Sequence, residues 1–250
     1  MLFTGTSKAL SAGGIQAAAS GLGVGAAEIW TVLTVETAGC GFLPDRRPVI
    51  LFERHYFHRL TGGRFDDGDV SDPSPGGYGA SGAHQYDRLA RAMALDREAA
   101  LKSASWGLGQ IMGANHAAAG FPDVDTMMNA MMDSEDAQVA AVSSFVRAQP
   151  GLANALKTQD WQTLARGYNG PNYAAGGYDA KLRDAWAAIE AGKIPDLRVR
   201  AAQLYMTFLG LNPGPVDGVI GPKLRAAMAT LQVNTVDDAL IARLETMLAN

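Results

Sequence analysis

Apolar residues at helical spacing run through most of the chain, and one such stripe carries a charge. In the stretch 29–42, IWTVLTVETAGCGF, residues Ile29, Val32, Leu33 and Glu36 fall at i, i+3, i+4 and i+7. On a helix these four share one face. Three are apolar, so the face turns inward, and it takes a carboxylate with it. Gly39 and Gly41 are helix breakers that would leave Glu36 in the last turn, at the edge of a cleft. Upstream, residues 11–37 predict a short helix, a Gly-rich turn and then this helix. Downstream, Pro48-Val-Ile-Leu-Phe-Glu53 alternates as a short strand with Glu53 on the face of Val49 and Leu51. Residues 54–60 predict a helix. The stretch 61–82, rich in Gly, Pro and Asp, predicts a long loop, a lip over a groove. An amphipathic helix is expected over 84–103, with Tyr86, Leu89, Ala90, Met93 and Ala94 on one side.

Residues 105–113 (SWGLGQIMG) are too glycine-rich for a helix middle and too apolar for a plain loop. Helices follow to Gln149, one of them capped by Ser134 and running to Arg147. The methionines at 127–128 and 131–132 have core spacing. A helix over 160–166 is broken by Gly167-Tyr-Asn-Gly-Pro171. Another spans 178–191, and Gly192-Lys-Ile-Pro195 reads as a linker. The tail predicts three short helices: about 197–211, one with Pro222 at its first turn, and one after Thr235 with Asp238 completing an approximate capping box. The reading is two domains, 1–192 and 193–250, the second a small three-helix bundle.

Composition narrows the function classes. The chain has 250 residues, 48% of them hydrophobic, with a net charge of −4. The tail from Asp196 onward carries as many basic as acidic residues, so the excess charge lies before it. Neither a basic patch for nucleic acid nor a cationic tail for a membrane surface is present. A single cysteine, Cys40, excludes an internal disulfide and a multi-thiolate metal site. Cys40 itself reads as a small packing residue in a Gly-rich turn. His55 and His58 lack a carboxylate at zinc-site spacing, and His84 and His116 are isolated, so no metal and no cofactor are expected. No stretch reaches the apolar length of a membrane span, so stable membrane insertion is not expected. The first thirty residues make a poor secretory signal.

The chemistry then rests on Glu36. A carboxylate on a buried face is costly when charged, and desolvation raises its pKa. A carboxylic acid that keeps its proton near neutral pH can give it to a leaving group. The alternative is a surface Glu near a helix end, or one paired to an Arg.

Three motifs stand in order: the Glu36 segment ending Gly-Cys-Gly-Phe, Gly-Leu-Gly-Gln-Ile-Met (107–112) and Gly-Tyr-Asn-Gly (167–170). This order resembles the lysozyme-like superfamily in its goose-type lysozyme and soluble lytic transglycosylase branches. More closely, residues 25–190 resemble the N-acetylmuramidase domain of phage endolysins, through VETAGCGFLPDRRPVILFERHYFHRLTGG, SDPSPGGYG, SASWGLGQIMG and ARGYNGPNYA. The tail, with PGPVDGVIGPKLRAAMATLQ, resembles the three-helix peptidoglycan-binding domain. The resemblance implies a mainly α fold: a lysozyme-like α+β catalytic domain with a small β element, plus the helical tail. It implies cleavage of the β-1,4 bond between N-acetylmuramic acid and N-acetylglucosamine, with Glu36 as general acid.

Glycoside hydrolysis generally needs a second carboxylate. Glu53 is the first candidate, with a structural pair to Arg54, Arg46 or Arg47 as its alternative. Asp66, Asp67, Asp69 and Asp72 read mainly as solvated turn residues. The transglycosylase branch works without a second carboxylate, so that outcome stays open, as does a wall-binding protein without catalysis. Gln110 and Tyr168 are assigned mainly by the resemblance: a Tyr168 hydroxyl near Glu36 could orient the carboxyl, with a packed aromatic in a helix-ending turn as the alternative, and the Gln110 amide could bind an N-acetyl group. Asn169 caps or binds sugar. Trp106 and Tyr173 stack on sugars or pack in the core. In the tail, Asp217, Gly218 and Gly221 mark the wall-binding loop. The expected partners are glycan strands and stem peptides, for a monomer made in the host cytoplasm and acting on the wall in the periplasm after release.

Overall fold

The computed structural model of this chain describes residues 3–37, 40–171 and 173–249. Helix α1 (Ala12–Leu22) begins where the Ser11 hydroxyl accepts the Gly14 N–H, and it stops at Gly23 in the left-handed conformation. Helix α2 (Ala26–Thr37) follows and buries Ile29, Val32 and Leu33 as the spacing predicts. Trp30 and Thr31 are buried too, so the inward face is wider than the stripe. Gly39, one of the two predicted breakers, lies outside the described residues. Gly41 has a different role from the one expected. A Cβ there would come within 2.0 Å of the Gln138 Oε1, so the residue is glycine because another element approaches closely.

The predicted strand is β1 (Ile50–Phe52), shorter than its apolar run because Glu53 already serves as the N-cap residue of α3 (Arg54–Thr61). The single helix expected over 84–103 is two, α4 (Ala83–Leu95) and α5 (Arg97–Lys102). Asp96 breaks it: its backbone is extended, and its carboxylate accepts the Ala99 N–H to start the second helix. The ambiguous stretch 105–113 is a hairpin. Strands β2 (Ala104–Trp106) and β3 (Ile111–Met112) pair antiparallel, and β1 adds to β2 with Ile50 opposite Trp106. Helices α6 (Val124–Asp133) and α7 (Glu135–Ala148) come next, α7 capped by Ser134 as expected. Met127, Met128 and Met131 are core residues.

Helices α8 (Leu152–Lys157), α9 (Trp161–Asn169) and α10 (Tyr178–Glu190) complete the larger unit. The break expected at Gly167 is absent, and α9 runs on to Asn169. A Cβ on Gly167 would meet Leu152 Cδ1 at 2.1 Å, so this glycine lets α8 and α9 approach rather than ending a helix.

The loop 61–82 is fixed from beneath, not a free lip. Buried Gln85 donates to the carbonyls of Tyr78 and Ala80 and accepts the Phe52 N–H. Buried Arg88 donates to the carbonyls of Phe52, Tyr78 and Asp69. The four aspartates are occupied. Asp66 accepts from Ser71 and meets His58, and Asp67 accepts the N–H groups of Asp69, Val70 and Ser71. Asp69 pairs with Arg88 and Arg91, and Asp72 accepts the Ser74 N–H. These contacts make them frame residues of the loop.

The tail holds α11 (Leu197–Phe208), α12 (Pro222–Thr230) and α13 (Asp238–Ala249). Its last helix is capped by Asp237, which accepts the Leu240 N–H, in place of the box expected from Thr235 and Asp238. Every residue from Val199 to Met206 is buried, because α11 lies between α13 and the larger unit. The tail core takes in Phe42 from the larger unit, and the Tyr205 hydroxyl accepts the Ala9 N–H. Among the described residues, no single helix is long and apolar enough to cross a membrane.

Candidate active site

Helix α2 presents Glu36 in its last turn, half-buried against α10, which packs along α2. Burial pushes its carboxyl from 4.5 to about 7. Two groups pull the other way: the Asn169 amide donates to Glu36 Oε1 at 3.2 Å, and the Lys181 ammonium lies within electrostatic reach. Desolvation outweighs both, so near neutral pH the group is poised between acid and carboxylate. Asn169 thus meets the acid itself, a more direct role than capping.

Tyr168 is placed one residue before Asn169 at the end of α9. Its ring packs edge-on to Phe145, and its hydroxyl donates to the Gly109 carbonyl at 2.7 Å. The expectation that this hydroxyl orients Glu36 is corrected: it holds the β2–β3 turn. Its phenol nevertheless senses Glu36, which together with burial holds it well above the usual tyrosine range. Gly109 permits this approach, since a Cβ there would lie 2.0 Å from Val142 Cγ2.

Two further expectations are corrected. Both hydrogens of the Gln110 amide are given to backbone carbonyls, which leaves no N–H for an N-acetyl ligand. Gln110 sits at φ 48, its Nε2 donates to the carbonyls of Gly107 and Val49, and its Oε1 accepts from Ser105. It braces the turn. Trp106 offers no face to a sugar: it is 0% exposed, packed against Phe3 and Tyr86, with its indole N–H on the Leu101 carbonyl. Core packing, the alternative reading for Trp106, is what the structure shows. Tyr173 is half-buried in a short 3₁₀ turn, Tyr173–Gly176, and packs against the main core.

Glu53 stands at the end of β1, where its carboxyl is held above the usual range by desolvation, against the pull of a hydrogen bond to Tyr78 and the charge of Arg88. Its pairing is with neither Arg54, Arg46 nor Arg47. His55 Nδ1 lies 3.1 Å from Glu53 Oε2. Burial and the guanidinium groups of Arg59 and Arg54 lower the His55 pKa, so the imidazole is neutral at neutral pH. Glu53 meets Tyr78, Tyr78 senses Tyr178, and Tyr178 senses Glu36.

Sequence reasoning missed Tyr78, Tyr178 and Lys181. Each follows or closely trails a Gly-Gly pair, a pattern that marks backbone turns and carries no chemistry by itself. It missed Glu135 and Gln138 as well. Gln138 accepts the Leu108 N–H and donates to the Met131 carbonyl, while Glu135 accepts the N–H groups of Leu10 and Gly41. Both lie on the first turn of α7 and look like ordinary N-terminal helix residues in the sequence.

Cys40 is a packing residue, as expected. Burial and the nearby Glu135 charge push its thiol up to about 12, and its sulfur contacts the Phe42 backbone. Among the described residues, no cluster of His, Cys, Asp and Glu is arranged to hold a metal.

In the tail, two of the three predicted wall-binding residues are engaged by the tail itself. Asp217 accepts from Gln203 and from the Val219 N–H. Gly218 packs so tightly that a Cβ would lie 2.6 Å from the Asp196 nitrogen. Gly221 is open, as the N-cap residue of α12. What the loop exposes is Val219 and Ile220, at 61% and 40%.

A family model described as N-acetylmuramidase matches residues 25–190. Among solved structures, the chain is similar to a Burkholderia AP3 phage endolysin. The two share 38% sequence identity over 75% of this chain and 73% of that one, with a TM-score of 0.67. No curated protein matches the chain.

Proposed function

Since the chain belongs to the N-acetylmuramidase family, of lysozyme-type glycoside hydrolases, we propose that it cleaves the β-1,4 bond between N-acetylmuramic acid and N-acetylglucosamine, with Glu36 as general acid. The observation that carries this is the Glu36 carboxyl, held at about 7 by burial and within reach of Asn169 and Lys181. A protonated carboxyl at that point can protonate the departing sugar oxygen. Glu53 is the second carboxylate of this proposal. The structural likeness to a phage endolysin supports a role in host-cell lysis, with synthesis in the host cytoplasm and action on the wall in the periplasm after release.

The product ends test the bond and the outcome together. Mass spectrometry of digested sacculi is expected to show reducing muramic acid ends that have gained water. Anhydro ends in their place would make the enzyme a transglycosylase, and cleavage on the other side of muramic acid would refute the proposed bond.

The tail, residues 193–250, is proposed as the wall anchor. An anchor raises the local concentration of the catalytic unit at its substrate. Exposed Val219 and Ile220 are the residues best placed to touch the wall. In the full-length chain, Val219→Ser with Ile220→Ser is expected to weaken co-sedimentation with purified sacculi several-fold while leaving the melting temperature within about 1 °C, as surface changes generally do. Unchanged sedimentation would remove the loop from the binding surface.

A further inference from the structure

The turn between β2 and β3 lies inside the molecule, and its residue Leu108 is 1% exposed. Water cannot serve that backbone, so the Leu108 N–H needs a protein acceptor. The acceptor comes from outside the hairpin. It is Gln138 Oε1, on the first turn of α7, at 2.7 Å. The other end of the same amide, Gln138 Nε2, donates to the Met131 carbonyl at 2.8 Å, near the end of α6. Gln138 is itself 1% exposed, so both ends of its amide are spent on buried backbone.

Two glycines clear the space for this amide. A Cβ on Gly107 would lie 2.6 Å from Gln138 Cδ, and one on Gly41 would run into Gln138 Oε1. On the same face of α7, at i and i+3, buried Glu135 accepts the Gly41 N–H at 2.8 Å. One turn of α7 thus grips the chain just beyond α2 and the β2–β3 turn together. The line then continues toward Glu36. The Gly109 carbonyl, next in the turn, accepts the Tyr168 hydroxyl at 2.7 Å. The neighbour of Tyr168, Asn169, donates to Glu36 Oε1 at 3.2 Å.

We propose that Gln138 is a positioning residue for the reaction: it fixes the β2–β3 turn where Tyr168 docks, and so fixes Asn169 against Glu36. The inference rests on the reading of Glu36 as general acid. Such an acid must hold its proton within hydrogen-bond reach of the departing oxygen. A displacement of about 1 Å can cost about 100-fold in rate. One planar amide suits the task, because it supplies an acceptor and a donor in fixed relation. Flipping it would set its NH₂ against the Leu108 N–H, so a single orientation is held. An apolar side chain of similar size would fill the space but leave the Leu108 N–H and the Met131 carbonyl without this partner. The turn would then be free to shift, and Tyr168 and Asn169 would shift with it.

The test is Gln138→Met, which keeps much of the side-chain length and lacks the amide. It is assayed on purified sacculi across pH, at a temperature where it is folded, alone and combined with Asn169→Ala. Gln138 carries no charge, so its removal leaves the titratable neighbours of Glu36 in place: Lys181 and Tyr178 from α10 and Tyr168 from α9. The Asn169 amide favours the ionised form of Glu36, so losing that contact raises the pKa of the acid. The kcat is expected to fall about 10-fold with KM within about twofold. The alkaline limb of kcat/KM is expected to move up by about half a pH unit. In the Asn169→Ala background, Gln138→Met should move the limb no further, because both act through one contact. A role confined to stability would lower the melting temperature and leave the limb where it was. That result, or a limb that moves equally with and without Asn169, overturns the proposal. Glu36→Gln tests the premise separately: if it keeps wild-type lysis, the general-acid reading falls whatever Gln138 does. If Gln138→Met does not fold, Gln138→Asn, which keeps the amide and shortens its reach, decides the question. A limb displaced upward then supports the positioning role, and an unmoved limb overturns it.

Discussion

Glu36→Gln is expected to reduce wall lysis by about 10²- to 10⁴-fold, the usual contribution of a general acid, and to make the protein more stable at alkaline pH. The two effects have one cause. Gln keeps the shape of the side chain and an oxygen to accept the Asn169 amide, but it has no proton to give. Wild-type activity should fall as pH rises through about 7, because only the protonated carboxyl is an acid. Stability follows the same titration. The folded-state pKa of about 7 lies above the reference value of 4.5, so the folded chain holds this proton more tightly than the unfolded chain. The stability that Glu36 contributes is complete below pH 4.5 and is lost as pH rises through 7. A displacement of that size corresponds to about 3 kcal/mol at most, and Gln escapes the loss. Denaturant unfolding at pH 5 and pH 8 should show wild type losing stability between the two while the variant does not. A variant that still lyses sacculi, or one whose stability follows pH as wild type does, would refute the assignment of Glu36.

The helix carrying this acid was legible from spacing alone because burial on one helical face follows a simple period. What marked Glu36 as the candidate acid was legible for the same reason: a carboxylate in an apolar stripe contradicts its surroundings. The sites read by resemblance transferred less evenly. Asn169 meets Glu36 directly, whereas Gln110 and Tyr168 brace the turn that faces the site, and Trp106 belongs to the core. A motif fixes which residue types come together, and it does not fix which atoms each one spends on the backbone. Tyr78 and Tyr178 were invisible because the groups they neighbour in the fold are distant in the chain. Nothing near Tyr78 in the chain announces Glu53, 25 positions away. Helix ends failed where tertiary approach decides the glycine. Gly167 and Gly41 read as breakers, yet each is small because another side chain occupies the space. Asp96 showed the reverse, a polar cap hidden inside an apparently continuous amphipathic run.

The docking of the tail gives the second large effect. Arg200 of α11 and Glu135 of α7 are 1% and 0% exposed, and the guanidinium meets both carboxylate oxygens at 3.3 Å. Glu135 also accepts the Leu10 and Gly41 N–H groups. One carboxylate thus ties the N-terminal segment, the chain just beyond α2 and the tail to one point. Arg200 adds a further tie, with its guanidinium over the Trp30 ring of α2 at 5.5 Å. Replacing Arg200 by Met keeps much of the side-chain volume and leaves Glu135 buried beside an apolar group. Removing one partner of a buried pair costs about 3–5 kcal/mol. For a chain of this length, that corresponds to a fall in melting temperature of about 6–20 °C. Arg200→Lys keeps the charge but cannot span both oxygens, and it should fall between Met and wild type. Activity of Arg200→Met, assayed where it remains folded, should also decline, because Gly41 and Trp30 both connect this pair to the helix that carries Glu36. A variant melting within 2 °C of wild type would show that the pair adds nothing net. The tail would then be held by its apolar contacts with Phe42 and by the Tyr205–Ala9 hydrogen bond.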